Sequence, residues 1–384
     1  MSSARQEVTH AASAWPTQPA YLWGRAIVAA RTRDTAGLKS ALTDYAALGL
    51  GRDIRGDTTF AAFKNNSWFA SLVTEHERNR SVIQRSTVRA TLSDSTTWPE
   101  GMDFDSRSNR FYVSSVRHRT IIERSPDGSE RDLIPRDVRG NGSVLGVRIA
   151  RASGVVWATM GGLPQMEGFT ASDSTIASLV RIRISDGAIE RRWDFPANKH
   201  HVLGDLAIGP NGDVFVTDSD EPVLYRLRPG ADTLEATRNP LFRSLQGPAP
   251  SPDGRFLFLS DYSHGLLRVD LRAGTVIRLA EPAHVTTLGC DGIVLYHNSI
   301  IAIQNGVSPA RVMRFTLDKS GERIIRADIL DRNWKIADEP TIGTIIGNDF
   351  VYVANSQWEK YSDSGARNAR ALTAPVLLAL PLDH

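Results

Sequence analysis

Oxygen-bearing side chains recur at one place in a repeated phrase of this 384-residue chain. Glu100, Gln246 and Asp291 each stand directly before a glycine and a short apolar stretch. The phrases are Glu100-Gly101-Met102-Asp103-Phe104, Gln246-Gly247-Pro248-Ala249-Pro250 and Asp291-Gly292-Ile293-Val294-Leu295. Two carboxylates and an amide oxygen suit a hard divalent cation, Ca²⁺ first and Mn²⁺ or Zn²⁺ as substitutes, because Ca²⁺ takes several oxygen ligands in loose geometry. A cation held this way polarises a carbonyl and stabilises a developing oxyanion, which is what ester or lactone hydrolysis requires. The competing account leaves Glu100 and Asp291 as hydrogen-bonded rim residues in a water-filled channel. Asp205 stands beside the equivalent position, either capping its own backbone or serving as ligand or base. Glu339, before Pro340, is placed to reach the same point from the end of the chain.

The elements that must position these residues follow from the repeat. The same phrase occurs as Leu145-Gly146-Val147-Arg148-Ile149, Gly204-Asp205-Leu206-Ala207-Ile208 and Ile342-Gly343-Thr344-Ile345-Ile346. Six copies, each followed by a turn and further apolar strands, at a period of roughly 40–60 residues, predict a six-bladed β-propeller. In a propeller the first strand of each blade lines the central channel. Residues spread along the chain therefore become one ring: Glu100, Leu145, Gly204, Gln246, Asp291 and Ile342. Asp218 and Asp261 end strands in Thr-Asp-Ser and Ser-Asp-Tyr and read as turn-forming carboxylates. His200, His201 and His264 are rim histidines available as general bases. Gln304-Asn305 and Gln357-Trp358 are polar strand ends able to line a pocket.

Residues 1–18 are small and polar and read as a flexible arm. From residue 19 to about 82 the spacing is helical: Ala20, Trp23, Ile27 and Ala30 share a face, and Asp34 caps a helix carrying Leu38, Leu42 and Tyr45. A third stretch holds Phe60, Phe63, Trp68, Phe69, Leu72 and Val73, which read as helix-packing core. These helices have too little core to stand alone and are expected to pack on the propeller or on a protein partner. The propeller occupies 85–384, with strands at 111–116, 120–124, 214–219, 223–227, 256–261, 266–270 and 351–355. A loop-like insertion spans 161–175, and the strands at 88–92 and 374–380 are expected to close the ring. The fold class is thus all-β with a small α-helical N-terminal extension. A net charge of +2 with dispersed basic residues argues against a nucleic-acid partner, and no apolar run is long enough for a membrane span. Cys290 is the only cysteine, so neither an internal disulfide nor a cysteine-rich metal site is available. No apolar signal core opens the chain. The compartment stays open: cytoplasmic as it stands, periplasmic or secreted if a leader was removed.

Over residues 85–384 the chain resembles the SMP-30/gluconolactonase family, within the wider strictosidine synthase-like and paraoxonase-like group of six-bladed propellers. Pro99-Glu100-Gly101 with Phe111-Tyr112-Val113-Ser114-Ser115, Asp205-Leu206-Ala207 with Val216-Thr217-Asp218-Ser219, Asp291-Gly292, and Ala354-Asn355-Ser356-Gln357-Trp358 carry the resemblance. The preceding helices resemble degenerate tetratricopeptide ends found ahead of such propellers in bacterial proteins. The resemblance implies a divalent cation held by a Glu, by Asn residues of middle blades and by an Asp; Glu100 and Asp291 match the Glu and the Asp. The chain departs from that pattern where Gly204-Asp205 replaces Asn-Asp and Gln246-Gly247 replaces Asn-Gly. Three functions compete. One is a metal-assisted hydrolase of a small lactone or ester, with Glu100, Gln246 and Asp291 as ligands and Asp291, Asp205 and Glu339 as catalytic residues. Another is a propeller that binds a small molecule or protein without catalysis. The third is metal-free strictosidine-synthase-like chemistry on a lone acid such as Glu339.

Overall fold

The computed structural model describes residues 2–136, 138–362, 364–366 and 372–383. Six four-stranded antiparallel sheets form the six blades. A first strand, β1 (Thr87–Thr91), precedes them. Blade one is β2–β5 (Met102–Asp105, Arg110–Ser115, Thr120–Arg124, Glu130–Asp132) and blade two β6–β9 (Ser143–Ala150, Val155–Gly161, Ala177–Arg183, Ile189–Asp194). Blade three is β10–β13 (Leu203–Ile208, Val214–Asp218, Val223–Leu227, Glu235–Arg238) and blade four β14–β17 (Leu245–Pro250, Phe256–Asp261, Gly265–Asp270, Val276–Arg278). Blade five is β18–β21 (Cys290–Tyr296, Ser299–Gln304, Arg311–Leu317, Ile324–Arg332). Blade six takes β22–β24 (Gly343–Ile346, Asp349–Val353, Val376–Pro381) and β1 as its outermost strand, so the two ends of the propeller segment share a sheet. The expected ring closure is the one observed.

Apolar residues at alternate strand positions face the neighbouring blades, as a sheet buried on both faces requires. Leu206, Val214 and Val216 of blade three meet Leu179 and Trp193 of blade two, and Phe258 and Leu266 of blade four meet Ile293 and Ile300 of blade five. Between inner strands the backbones themselves touch. A Cβ on Gly101 would stand 2.4 Å from the Leu145 carbonyl, and one on Gly292 2.7 Å from the Thr341 carbonyl. The glycine of the repeated phrase is therefore the point where adjoining blades pinch together around the channel.

The N-terminal helices are α1 (Ser2–Ala14), α2 (Pro19–Arg31), α3 (Thr35–Ala47) and α4 (Ser67–Asn79), with a 3₁₀ turn at Thr58–Phe63. Residues 1–18, expected to be a loose arm, are instead largely helical. Ala12 is buried against a cluster with Leu22, Tyr45, Leu48 and Leu50, and that contact outweighs the arm's small, polar composition. The Asp34 side chain caps α3 by accepting from the Gly37 amide at 3.0 Å. Ala26, Leu38, Leu42, Phe60, Phe69 and Leu72 form the helical core, with Trp23 and Trp68 at its edge. The helices dock on blade five. Arg311, 3% exposed, donates to the Leu48 carbonyl at 3.0 Å and to Gln304 Oε1 at 2.6 Å, while Arg332 donates to the Ser81 carbonyl at 2.9 Å.

Candidate active site at the channel mouth

Four of the six phrases enter their blades through a kink, while those of blades one and six pair regularly. The register between first and second strands slips by one residue at Val144/Val147, Leu203/Asp205, Leu245/Pro248 and Cys290/Ile293. A bulge of this kind re-aims the side chain that carries it, which is why bulges gather at barrel rims and active sites. Hydroxyls of the second strands hold the phrases in place. Ser114 Oγ accepts from the Gly101 amide at 2.8 Å and Thr159 Oγ1 from the Gly146 amide at 2.8 Å. Thr217 Oγ1 donates to the Asp205 carbonyl at 3.2 Å and Ser260 Oγ to the Gly247 carbonyl at 3.2 Å.

At the mouth so formed, Glu100 and Asp291 face each other electrostatically. Burial raises the Glu100 carboxyl well above its ordinary range, and the Asp291 charge pushes it further; Glu339 and Asp205 add to the effect. Asp291 is raised as well, chiefly by burial, with its hydrogen bond from Asn305 opposing the shift. Both carboxylates are held in place: Trp358 Nε1 donates to Glu100 Oε2 at 2.7 Å and Asn305 Nδ2 to Asp291 Oδ2 at 2.7 Å. Asn305 Oδ1 is buried without a partner. Glu339 reaches the group from the entry to blade six, with its carboxyl lifted to about 7, mainly by burial.

The remaining expected site residues lie as follows. Gln246 donates from Nε2 to Ser244 Oγ at 3.3 Å, and its Oε1 lies 3.8 Å from where a Cβ on Gly204 would stand. The longer amide thus reaches toward the space left by the missing side chain. Asp205 is buried deeper and is committed elsewhere: it accepts from its own Leu206 amide at 2.7 Å and pairs with Arg148 at 3.3 Å. Leu145 and Ile342, the ring positions of blades two and six, are buried. Leu145 packs with Trp98 and Val116, next to Trp358 and Tyr361, so one side of the mouth is an aromatic wall. Trp98 and Tyr361 stack at 3.9 Å.

Of the rim histidines, His201 is buried and its Nδ1 donates to Asp218 Oδ2 at 2.6 Å. His264 Nδ1 donates to the Leu241 carbonyl at 2.7 Å, and His200, half exposed, pairs with Asp220. Asp218 also accepts from the amides of Val202, Asp220 and Glu221, and Asp261 from those of Arg243, Ser244, Ser263 and His264. Both are turn-fixing carboxylates, in the role their positions suggested. Arg148 is the residue that sequence reasoning passed over. It donates to the Met102 carbonyl of blade one at 3.1 Å and to Asp205 of blade three, so it ties the two blades that flank its own. Below it the opposite mouth opens as a cavity of about 290 Å³ lined by Asp103, Arg148 and Thr344 among others. The available signal was a charge inside an otherwise apolar phrase.

The donor set fits an oxygen-seeking cation. A half-buried Glu100, whose proton affinity the charge of buried Asp291 raises, would be relieved by a positive charge, and the unpartnered Asn305 oxygen would add a neutral ligand. Among the described residues no group of three or more His, Cys, Asp or Glu side chains is arranged to hold a metal. Further ligands would accordingly be amide oxygens such as Gln246 Oε1, and water.

No family model and no curated protein matches the chain. Solved structures do. A candidate oxidoreductase (glucose dehydrogenase) from Thermus thermophilus is 17% identical with a TM-score of 0.53, over 78% of this chain and 100% of that one. A luciferin-regenerating enzyme is 13% identical with a TM-score of 0.51, over 77% of this chain and 95% of its own. A gluconolactonase from Xanthomonas campestris is 16% identical with a TM-score of 0.49, over 78% and 94%. At such identities the likeness is one of fold, the six-bladed propeller.

Proposed function

We propose that the chain is a hydrolase of a small lactone or ester, with a divalent cation, Ca²⁺ first, held by Glu100 and Asp291 together with Gln246 and Asn305. The observation that carries this reading is a half-buried Glu100 carboxyl raised by the charge of buried Asp291 at the channel mouth, beside an unpartnered amide oxygen. A cation bound there would polarise the substrate carbonyl and stabilise negative charge on its oxygen. The chain's own groups supply the rest. Trp358 and Asn305 orient the two carboxylates, and the aromatic wall around Trp98 and Tyr361 keeps water from one side of the site. Glu339, with a carboxyl that titrates near neutrality, takes the proton from the attacking water as its oxygen bonds to the carbonyl carbon. It returns that proton to the leaving alkoxide when the carbon–oxygen bond breaks. Asp205, paired with Arg148 of the adjacent blade, acts as a tie between blades in this scheme rather than as a base.

A second reading draws on Glu339 alone, whose carboxyl is poised to hold or release a proton at neutral pH. In it the mouth works without metal, through Glu339 as a lone acid or as a ligand-binding surface. Calorimetric titration with Ca²⁺ and Mn²⁺ separates the two. The expected result is saturable binding by the wild type that disappears in the Glu100→Ala/Asp291→Ala double variant. Cation at a hundred times its dissociation constant should then stabilise the wild type by about 2.7 kcal/mol, and lactone or ester turnover should depend on it. A wild type that binds neither ion defeats the metal-assisted mechanism.

A further inference from the structure

Between blades two and three lies a cavity that the channel site does not use. Its volume is about 670 Å³, within the range of small-ligand pockets. It opens at the rim opposite the Glu100–Asp291 mouth, because its walls come from the far ends of the inner strands and the turns that follow them. Strand register builds the floor: Trp157 lies opposite Arg181, and Arg181 opposite Arg191, so an indole and two guanidiniums stand in one row across the sheet. Trp193 stacks against Trp157 at 5.4 Å, and the Arg191 guanidinium lies over the Trp193 ring at 4.5 Å. Arg151 and Arg228 complete a lining that has four cations and no acidic side chain. Trp193 is 8% exposed, and Trp157, less buried, presents more of its ring to the cavity.

Each arginine already pairs with a carboxylate outside the lining: Asp103 for Arg151, Glu190 for Arg181, Asp232 for Arg191 and Glu235 for Arg228. The four arginines are 36–54% exposed, where such pairs contribute little. A guanidinium has five donors, so each retains capacity for a second anion. We propose that this cavity binds a small aromatic carboxylate. Its ring lies against Trp157, which Trp193 backs, and its carboxylate faces the guanidiniums.

The test is calorimetric titration of the full chain with 2-naphthoate and with 2-naphthamide, its uncharged counterpart. We expect one saturable site for 2-naphthoate, binding weaker by about tenfold or more for the amide, and a similar loss in Trp157→Ala and in Arg181→Gln. Glu100→Gln, altered at the other mouth, should titrate like the wild type. Equal affinity for acid and amide, full affinity in both cavity variants, loss of binding in Glu100→Gln, or no binding at all would each overturn the proposal. Arg181, on the surface at 38% exposure, keeps the test in force if Trp157→Ala does not fold.

Discussion

Glu339 is the residue whose chemistry is most open to measurement. Its carboxyl titrates near 7 in the fold against an ordinary value of 4.5, chiefly through burial. Between those values the folded protein holds a proton that the unfolded chain has released. The stability this contributes is complete below about pH 4.5 and is lost as pH climbs through about 7. The melting temperature of the wild type should therefore fall relative to Glu339→Gln across that window, as thermal melts at stepped pH would record. If Glu339 is the base, kcat/KM rises through pH 7 in the wild type, and the rise vanishes in Glu339→Gln with a loss of about 10²-fold or more. At this scale the sequence conveyed the ring positions, because six equivalent phrases identify Glu100, Gln246 and Asp291 without any structure. It did not convey partners. That Trp358 would hold Glu100 and Arg148 reach from blade two to neutralise Asp205 depends on contacts between blades, and Asn305 meets Asp291 only through the bulged register of two strands of blade five. No local pattern encodes those contacts.

The inner strands explain why the phrase contains a glycine. Replacing Gly101 by Ala forces a methyl to within 2.4 Å of the Leu145 carbonyl, which neither backbone can yield without opening the ring. We expect a loss of about 1–3 kcal/mol in denaturant melts. Gly204→Ala meets Ser219 Oγ at 3.3 Å and Gln246 Oε1 at 3.8 Å, both the ends of side chains, and should stay within about 0.5 kcal/mol of the wild type. Strand positions were readable from period-two alternation and turn residues: β4, β12 and β15 fall on the segments expected, and others differ by a residue or two at their ends. The bulges were not readable, since an extra residue in a ladder leaves the apolar pattern nearly unchanged while moving the side chain that follows. Nor was the break between the 3₁₀ turn at Thr58–Phe63 and α4, which helical spacing alone had merged into one stretch.

Across the whole molecule, the helical unit and the propeller are joined by buried polar contacts as well as by apolar ones. Arg311 is the centre of that joint, and Arg311→Ala leaves the Leu48 carbonyl and Gln304 Oε1 without their donor. The expected cost is about 2–4 kcal/mol, with faster protease cleavage between α4 and β1 as the helices loosen. Composition suggested that these helices needed a neighbour, and blade five is that neighbour. The arm of residues 1–18 was misread because its helix rests on long-range burial of Ala12, to which small residues in a window give no clue.

Blade six is assembled from both ends of the propeller segment, with β1 paired to β24. Its order of manufacture follows. During translation β1 leaves the ribosome long before β24 exists, and at about 5–20 residues per second the interval is on the order of tens of seconds. Throughout that time β1 is an unmatched strand, beside five finished blades by the end of it, and its bare amides and carbonyls invite any other extended peptide. The helices ahead of β1 emerge earlier still. The surface of blade five that receives them is completed before β24 appears, so they can anchor β1 near its destination while synthesis finishes.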